Sequence, residues 1–460
     1  MRTEILDTPE LGDRSYLIHN GDAAIVVDPQ RDVERLLAIA DGLGVGIDLV
    51  LETHIHNDYV SGGRLLATTT GARYAVNAED PVGFPRLGIG DGDRLTAGSL
   101  SVQVLATPGH THTHLSYVVA DLADSGPPAV FTGGSLLYGG VGRTDLAGPR
   151  DTEELTRAQF RSAHRLARIL PPATALYPTH GFGSFCSAGA ATEGHGDGHT
   201  STIGGEVARN DALTASDEET FVRALLARLT AYPGYYAHMA SLNHAGAGPI
   251  DLTGPEPVDP AELGARIAAG EWVIDLRERI AYAADHVMGT VNVGLDTRFA
   301  TYVGWLVPWG RPLTLIGARA GDIRRAQRQL GLIGIARPSG AAAGDLATIA
   351  GPLDRGGYER VTFAGVPEPS ASDVLLDVRR DDEWAAGHVD GAVHTPLAEL
   401  TDRLPQIPPG RVWVHCAGGY RASSAASLLH GAGRDVVLVD DDFANATCTG
   451  LAIVGADHPL

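Results

Sequence analysis

Two imidazoles and a carboxylate fall close together in Thr53-His54-Ile55-His56-Asn57-Asp58-Tyr59. The stretch follows an apolar run, Ile47-Asp48-Leu49-Val50-Leu51, and precedes Ser61-Gly62-Gly63, which reads as a buried strand opening into a loop and then a helix. His54 and His56 are two apart, so in extended chain both point the same way. A single His is ordinarily a core or surface residue. A pair at this spacing beside an Asp is a donor pattern for a first-row metal, because neutral imidazole is the commonest metal ligand. Thr107-Pro108-Gly109-His110-Thr111 and Tyr177-Pro178-Thr179-His180-Gly181 supply two further histidines, each just past a strand-like run. Loops held at strand ends are where a rigid sheet carries chemistry. A second kind of chemistry is written in Val412-Trp413-Val414-His415-Cys416-Ala417-Gly418-Gly419-Tyr420-Arg421. There an apolar strand delivers a cysteine to a glycine-containing loop that opens a helix. Inward-facing N–H groups and the helix dipole stabilise a thiolate, which makes the sulfur nucleophilic and lets it carry a persulfide.

With these residues in view, the first half, about residues 1 to 245, resembles the metallo-β-lactamase fold. The likeness is to the branch shared by glyoxalase II-type hydrolases and persulfide dioxygenases. Val141-Gly142-Arg143-Thr144-Asp145-Leu146 is similar to a GRTD segment of the dioxygenase branch, which implies supporting roles around the site for Arg143 and Asp145. The resemblance implies His54, His56, Asp58, His110 and His180 as metal ligands. Two positions depart from the family pattern HxHxDH and its T-G-D segment: Tyr59 stands in the last position of the first, and Gly134 in the Asp place of the second. In hydrolases of this fold that Asp bridges two metals; in persulfide dioxygenases it completes a two-His, one-carboxylate iron site. A dinuclear zinc site would keep only Asp58 and His180 for its second metal. A mononuclear site on His54, His56 and His110 could survive, holding Fe(II) or alternatively Zn(II), since imidazole suits both. A scaffold that has lost its metal is the third reading.

The second half repeats itself. Val273-Ile274-Asp275-Leu276-Arg277 matches Leu375-Leu376-Asp377-Val378-Arg379, and Asp285-His286-Val287-Met288-Gly289 matches Gly387-His388-Val389-Asp390-Gly391. A two-copy repeat of about a hundred residues means tandem similar domains rather than a solenoid. Both copies resemble the rhodanese fold. The resemblance makes Cys416 the sulfur carrier and Arg421 its electrostatic partner. The short loop from Cys416 to Arg421 favours sulfur transfer over phosphatase chemistry. Aligning Gly310-Arg311 with Gly410-Arg411 puts Ile316 where Cys416 sits, so the first copy is expected to be inactive and structural.

The chain has 460 residues and a net charge of −21, which argues against nucleic acid or an anionic membrane as a partner. Its three cysteines, Cys186, Cys416 and Cys448, offer no disulfide framework and suit a reducing cytoplasm. The N-terminus has no apolar signal core, and no apolar run is long enough to span a membrane.

The elements that must position these residues alternate along the first half. A hairpin over 15 to 28 turns at Asn20-Gly21. Helices are expected over 32–43, 62–69, 150–170 and 217–230, with strands at 73–76, 101–105, 116–119 and 129–131. Residues 185 to 205 turn to Gly, Ser, Ala and Thr; they include Glu193-Gly194-His195-Gly196-Asp197-Gly198-His199, read as a surface loop rather than a metal tract. Residues 245 to 260 read as a linker. The expected class is α/β: an αββα metallo-β-lactamase sandwich over 1–250, a degenerate rhodanese domain over 256–350 and a rhodanese domain with the active cysteine over 355–460. The implied function is oxidation of a low-molecular-weight persulfide joined to sulfur transfer through Cys416. Thioester hydrolysis on zinc, or sulfur transfer alone, are the alternatives. Small persulfides, thiols or thiosulfate are the expected partners. A further copy of the chain, in a homo-oligomer, is the other expected partner.

Overall fold

The computed structural model describes residues 1–188, 200–367 and 373–455. By its internal contacts the chain divides into two compact units: residues 1–250 with 331–334, and residues 251–330 with 335–460.

The first unit is built on two six-stranded sheets. One runs β1 (Arg2–Thr8), β2 (Asp13–His19), β3 (Ala23–Val27), β4 (Gly46–Leu51), β5 (Arg73–Asn77), β6 (Leu87–Ile89) in spatial order. The other holds β7 (Arg94–Ala97), β8 (Leu100–Ala106), β9 (Leu115–Asp121), β10 (Ala129–Gly133), β11 (Ala175–Pro178) and β12 (Ser201–Thr202), also in spatial order. Strands β3 to β6 are parallel, as are β10 and β11. Their sequences show why they are interior. Ala23-Ala24-Ile25-Val26-Val27 is buried along its whole length, as befits a strand covered on both faces. The inner faces meet through Ile18, Ile25, Val27, Leu51, Val102, Val104, Tyr117 and Phe131. On one outer face Leu36 and Leu66, from helices Glu34–Leu43 and Gly63–Thr70, cover Val26, Val50 and Val76. On the other, Leu166 of Thr152–Ile169 and Phe221 of Glu218–Arg228 cover Val130 and Leu176. This is the expected αββα layering, with the four expected helices starting and ending within about two residues of the sequence reading. Strand β1 was not anticipated; it pairs with β2 over Arg2–Thr8. The Glu193 to His199 stretch lies outside the described residues.

The second unit contains two five-stranded parallel sheets of identical topology. In the first, Trp272–Asp275 lies between Val291–Asn292 and Leu313–Gly317, followed by Gly340–Ala343 and Glu256–Pro257. In the second, Asp373–Asp377 lies between Val393–His394 and Arg411–His415, followed by Val436–Val439 and Glu359–Val361. One apolar cluster runs through both copies, from Ile274, Val293 and Phe299 to Val414, Cys416 and Leu438. A shared core explains why the two repeats form one compact unit.

The repeated D-x-R motif has a repeated role. Arg277 pairs with Asp275 at 2.6 Å and donates to the Asp285 carbonyl; Arg379 pairs with Asp377 at 2.6 Å and donates to the Gly387 carbonyl. Each pair ties the end of the central strand to the turn before H-V-x-G. Side-chain exposure separates the copies: 15% for Arg277 and 5% for Arg379. Removing one partner of a buried pair strands the other charge. Asp377→Ala is therefore expected to cost about 3–5 kcal/mol in chemical denaturation, and Asp275→Ala less, because Arg277 can reach water.

Candidate metal centre and cysteine loop

The strand ends of the first unit converge on one edge. Thr53 to Tyr59 follow β4, Thr107 to His114 join β8 to β9, Gly134 follows β10, Thr179 and His180 follow β11, and Asp28 follows β3. All five histidine and aspartate positions implied by the sequence lie here, fully or almost fully buried: His54, His56, Asp58, His110 and His180. The grouping differs from the expected His54, His56 and His110. Nitrogens of His54, His110 and His180 lie within 4.8 Å of one another, while His56 groups with Asp58 and His180.

The reason is what surrounds His56. Its ring stacks on Tyr59 with centroids 4.2 Å apart, and its Nε2 lies 2.9 Å from the Tyr59 hydroxyl. The same nitrogen is 3.3 Å from both Asp28 and Glu52. Burial pushes this imidazole down, but Asp28 and Glu52 outweigh burial and raise it to about 9. His54 and His110 have no such partners. Burial and neighbouring histidines hold His54 well below its ordinary value, and burial with His180 brings His110 to about 3.

The tautomer of His110 is set by the loop beneath it. Its Nδ1–H donates to the Arg143 carbonyl at 2.7 Å, leaving Nε2 as a buried lone pair with no hydrogen-bond partner. Arg143 is itself clamped: it donates twice to Asp145 at 2.7 Å, and also to the carbonyls of Phe185 and Thr230. Arg143 and Asp145 thus act on the site through the backbone that orients His110, as outer partners do in metal sites. On the opposite side His180 Nδ1 is 2.8 Å from Asp13 and 3.2 Å from Asp58, while its Nε2 is 3.4 Å from His54 Nε2.

These donors suit one divalent first-row cation. Three imidazoles converge, and unpartnered buried atoms remain at His110 Nε2, His56 Nδ1 and Asp58 Oδ1. A pair of ions bridged by a carboxylate from position 134 does not fit. A Cβ on Gly134 would lie 2.3 Å from His110 Cδ2, so the position where the fold's hydrolases carry their bridging Asp is closed by the His110 ring. His114, which the sequence reading passed over, lies behind: its ring stacks on His54 at 4.9 Å and its Nε2 accepts from the Gly134 N–H at 3.0 Å. The alternation His110, His112, His114 was a signal for it. Asp13, Asp28 and Glu52 carry no motif and were also missed.

In the second unit the cysteine loop has the expected form. Strand Arg411–His415 ends at Cys416, and helix Tyr420–Gly431 begins after Gly419, whose φ is +84°. The thiol is 1% exposed. Arg421, expected as its electrostatic partner, makes its hydrogen bonds elsewhere: Nη1 and Nη2 donate to Glu383 at 2.5 and 2.7 Å. In the first copy Ile316 ends its strand region fully buried in apolar surroundings and offers no sulfur nucleophile. Cys186 is buried and Cys448 exposed.

Comparison with known proteins agrees with this architecture. Residues 10–180 match the metallo-beta-lactamase superfamily model and residues 367–446 the rhodanese-like domain model. A hydroxyacylglutathione hydrolase of Acidiphilium cryptum (strain JF-5) is 30% identical over 232 residues, covering 50% of this chain and 88% of the relative. A metallo-beta-lactamase structure from Staphylococcus aureus subsp. aureus COL superposes with a TM-score of 0.65 at 27% identity, covering 75% of this chain and 99% of that one. ETHE1 from Myxococcus xanthus is 26% identical with a TM-score of 0.45, covering 53% of this chain and 99% of that one. The chain belongs to the metallo-beta-lactamase superfamily. It joins a metallo-hydrolase fold to a C-terminal rhodanese-like domain. No described helix is long and apolar enough to cross a membrane.

The Arg421–Glu383 pair sets a pH dependence. Burial pushes the Glu383 carboxyl up, but Arg421, with Arg380 behind it, outweighs burial and holds it at about 2. The folded value lies below the ordinary 4.5, so the pair's stabilisation is complete above that pH and is lost as pH falls toward 2. The thermal unfolding midpoint of the wild type should exceed that of Glu383→Gln at about pH 6, with the gap closing at about pH 3. A constant gap would show that the charge contributes nothing.

Proposed function

We propose that the protein is a two-site sulfur-handling enzyme: a single-metal persulfide dioxygenase in the first unit and a sulfurtransferase at Cys416. The observation that carries the single-metal reading is the closed Gly134 position, which leaves the cluster of His54, His110 and His180 without a carboxylate from that place. His54, His110 and His180 would hold the ion, with His56 and Asp58 beside it. Fe(II) is the ion we favour, and it would supply a centre able to bring a thiolate sulfur and O₂ together; Zn(II) is the alternative.

The residues of this chain do the rest. The Arg143 carbonyl keeps the His110 proton on Nδ1 and its Nε2 bare. Asp13 and Asp58 orient His180. His54, His110 and His180 are themselves buried, which limits their contact with bulk water. The overall reaction would take a persulfide, O₂ and water to a thiol, sulfite and two protons. At the other site the Cys416 thiolate would attack the outer sulfur of thiosulfate, releasing sulfite and leaving a Cys416 persulfide for an acceptor thiol. Helix Tyr420–Gly431 begins just past the Cys416 loop, and the positive end of its dipole would favour anionic forms of the sulfur. Joining the two sites raises the effective concentration of the shared persulfide. The compartment we propose is the cytoplasm.

A second reading, thioester hydrolysis, is favoured by the hydroxyacylglutathione hydrolase name of the Acidiphilium relative. The two are separated by measuring O₂ uptake with glutathione persulfide against hydrolysis of a glutathione thioester. We expect O₂ uptake and sulfite formation, abolished by His110→Ala. Thioester turnover without O₂ uptake would replace the dioxygenase reading, and neither activity would leave a scaffold that carries only sulfur transfer. Cys416→Ser should abolish thiosulfate sulfur transfer and leave O₂ uptake unchanged; loss of both would contradict two independent sites.

A further inference from the structure

The copy without a cysteine touches the loop of the copy that has one. Arg279, at the start of helix Arg279–Ala284 in the first copy, donates through Nε to Asp440 Oδ1 at 2.6 Å. Asp440 follows strand Val436–Val439 of the second copy, and its side chain is only 4% exposed. Its other oxygen accepts from Arg360 at 3.1 Å. The carboxylate leans directly on the cysteine loop: a Cβ on Gly419 would lie 2.1 Å from Asp440 Oδ1 and 3.1 Å from Arg279 Nε. Gly419 is the left-handed residue through which the loop enters helix Tyr420–Gly431.

This placement poses an electrostatic problem. The loop is built to gather positive potential for an anionic sulfur. A buried carboxylate against the same loop works in the opposite direction unless it is neutralised. Two arginines neutralise it, and the less exposed one comes from the first copy, with side-chain exposures of 31% for Arg279 and 41% for Arg360. Arg421, held by Glu383, and Tyr302 of helix Phe299–Leu306 also interact electrostatically with Cys416. His415 precedes Cys416 in the chain and stacks on Phe443.

We propose that Arg279 is a positioning residue for the Cys416 loop. It cancels the charge of Asp440 and wedges that carboxylate against Gly419. The first copy then supplies part of the sulfur site although Ile316 replaces its own cysteine. The proposal rests on the reading of Cys416 as the reactive sulfur, and its test reads the thiol without any sulfur donor.

The experiment is the pH profile of iodoacetamide alkylation at Cys416 in the full chain, quantified on the Cys416 peptide by mass spectrometry, so that exposed Cys448 does not contribute. Arg279→Gln should slow modification at neutral pH by roughly three- to tenfold and move the profile to higher pH. Arg279→Lys, which keeps the charge, should restore most of the rate. Arg279→Gln combined with Asp440→Asn should restore it as well, because the unbalanced charge is gone. A profile for Arg279→Gln that superimposes on the wild type overturns the proposal. So does a double variant as slow as the single one, which would mean lost packing rather than charge. Absence of sulfurtransferase turnover in the wild type would count against the sulfur-carrier reading while leaving these alkylation outcomes fully readable.

Discussion

The candidate metal centre depends on one buried carboxylate. Asp28 sits at φ +51°, the one non-glycine residue with positive φ among the described residues. Its oxygens accept from the Thr53 N–H and hydroxyl, each at 2.7 Å, and from the Thr179 hydroxyl. Its carbonyl accepts from Ser15 at 2.7 Å. Thr53 opens the His54-to-Tyr59 loop and Thr179 precedes His180, so one side chain joins the ends of strands in both sheets. A left-handed conformation costs a non-glycine residue of order 1–3 kcal/mol, and such strain persists where surrounding bonds over-determine it. Here they do. His54 also reaches this hub, through the Thr53 hydroxyl 2.9 Å from its Nδ1. His56 belongs to the same network through Asp28 and Glu52, each 3.3 Å from its Nε2.

The layered fold was legible because its signals are local and periodic. Continuous apolar runs such as Ala23–Val27 mark interior strands, and an Asn-Gly pair marks the hairpin. The Asn20 side chain accepts from the N–H groups of Asp22 and Ala23 in that turn. The motif residues also emerged, since ligand types recur just past strand ends. What the sequence could not show was which imidazoles face one another. That is decided by Tyr59, Asp28 and Glu52, brought to His56 from separate segments, and by an orientation of His110 fixed by the Arg143 carbonyl. The Arg143 contact with His110 is made by its main chain, which no side-chain motif reveals.

The second unit teaches the same lesson from a repeat. The matching D-x-R and H-V-x-G segments predicted two similar halves, and the Asp275–Arg277 and Asp377–Arg379 pairs have the same geometry in each. Repetition says nothing about how the copies share work. The shared apolar cluster and the Arg279–Asp440 contact are long-range features with no sequence period. Likewise Arg421, the arginine that closes the Cys416 loop, has both of its terminal nitrogens bound to Glu383. The charge around the sulfur is therefore set by a network rather than by one arginine.

The most direct test of a single-metal centre is elemental analysis of anaerobically purified protein. A cluster of His54, His110 and His180 without a bridging carboxylate predicts about one first-row metal ion per chain, lost in His110→Ala. Two ions per chain, one that survives His110→Ala, or none at all would contradict it.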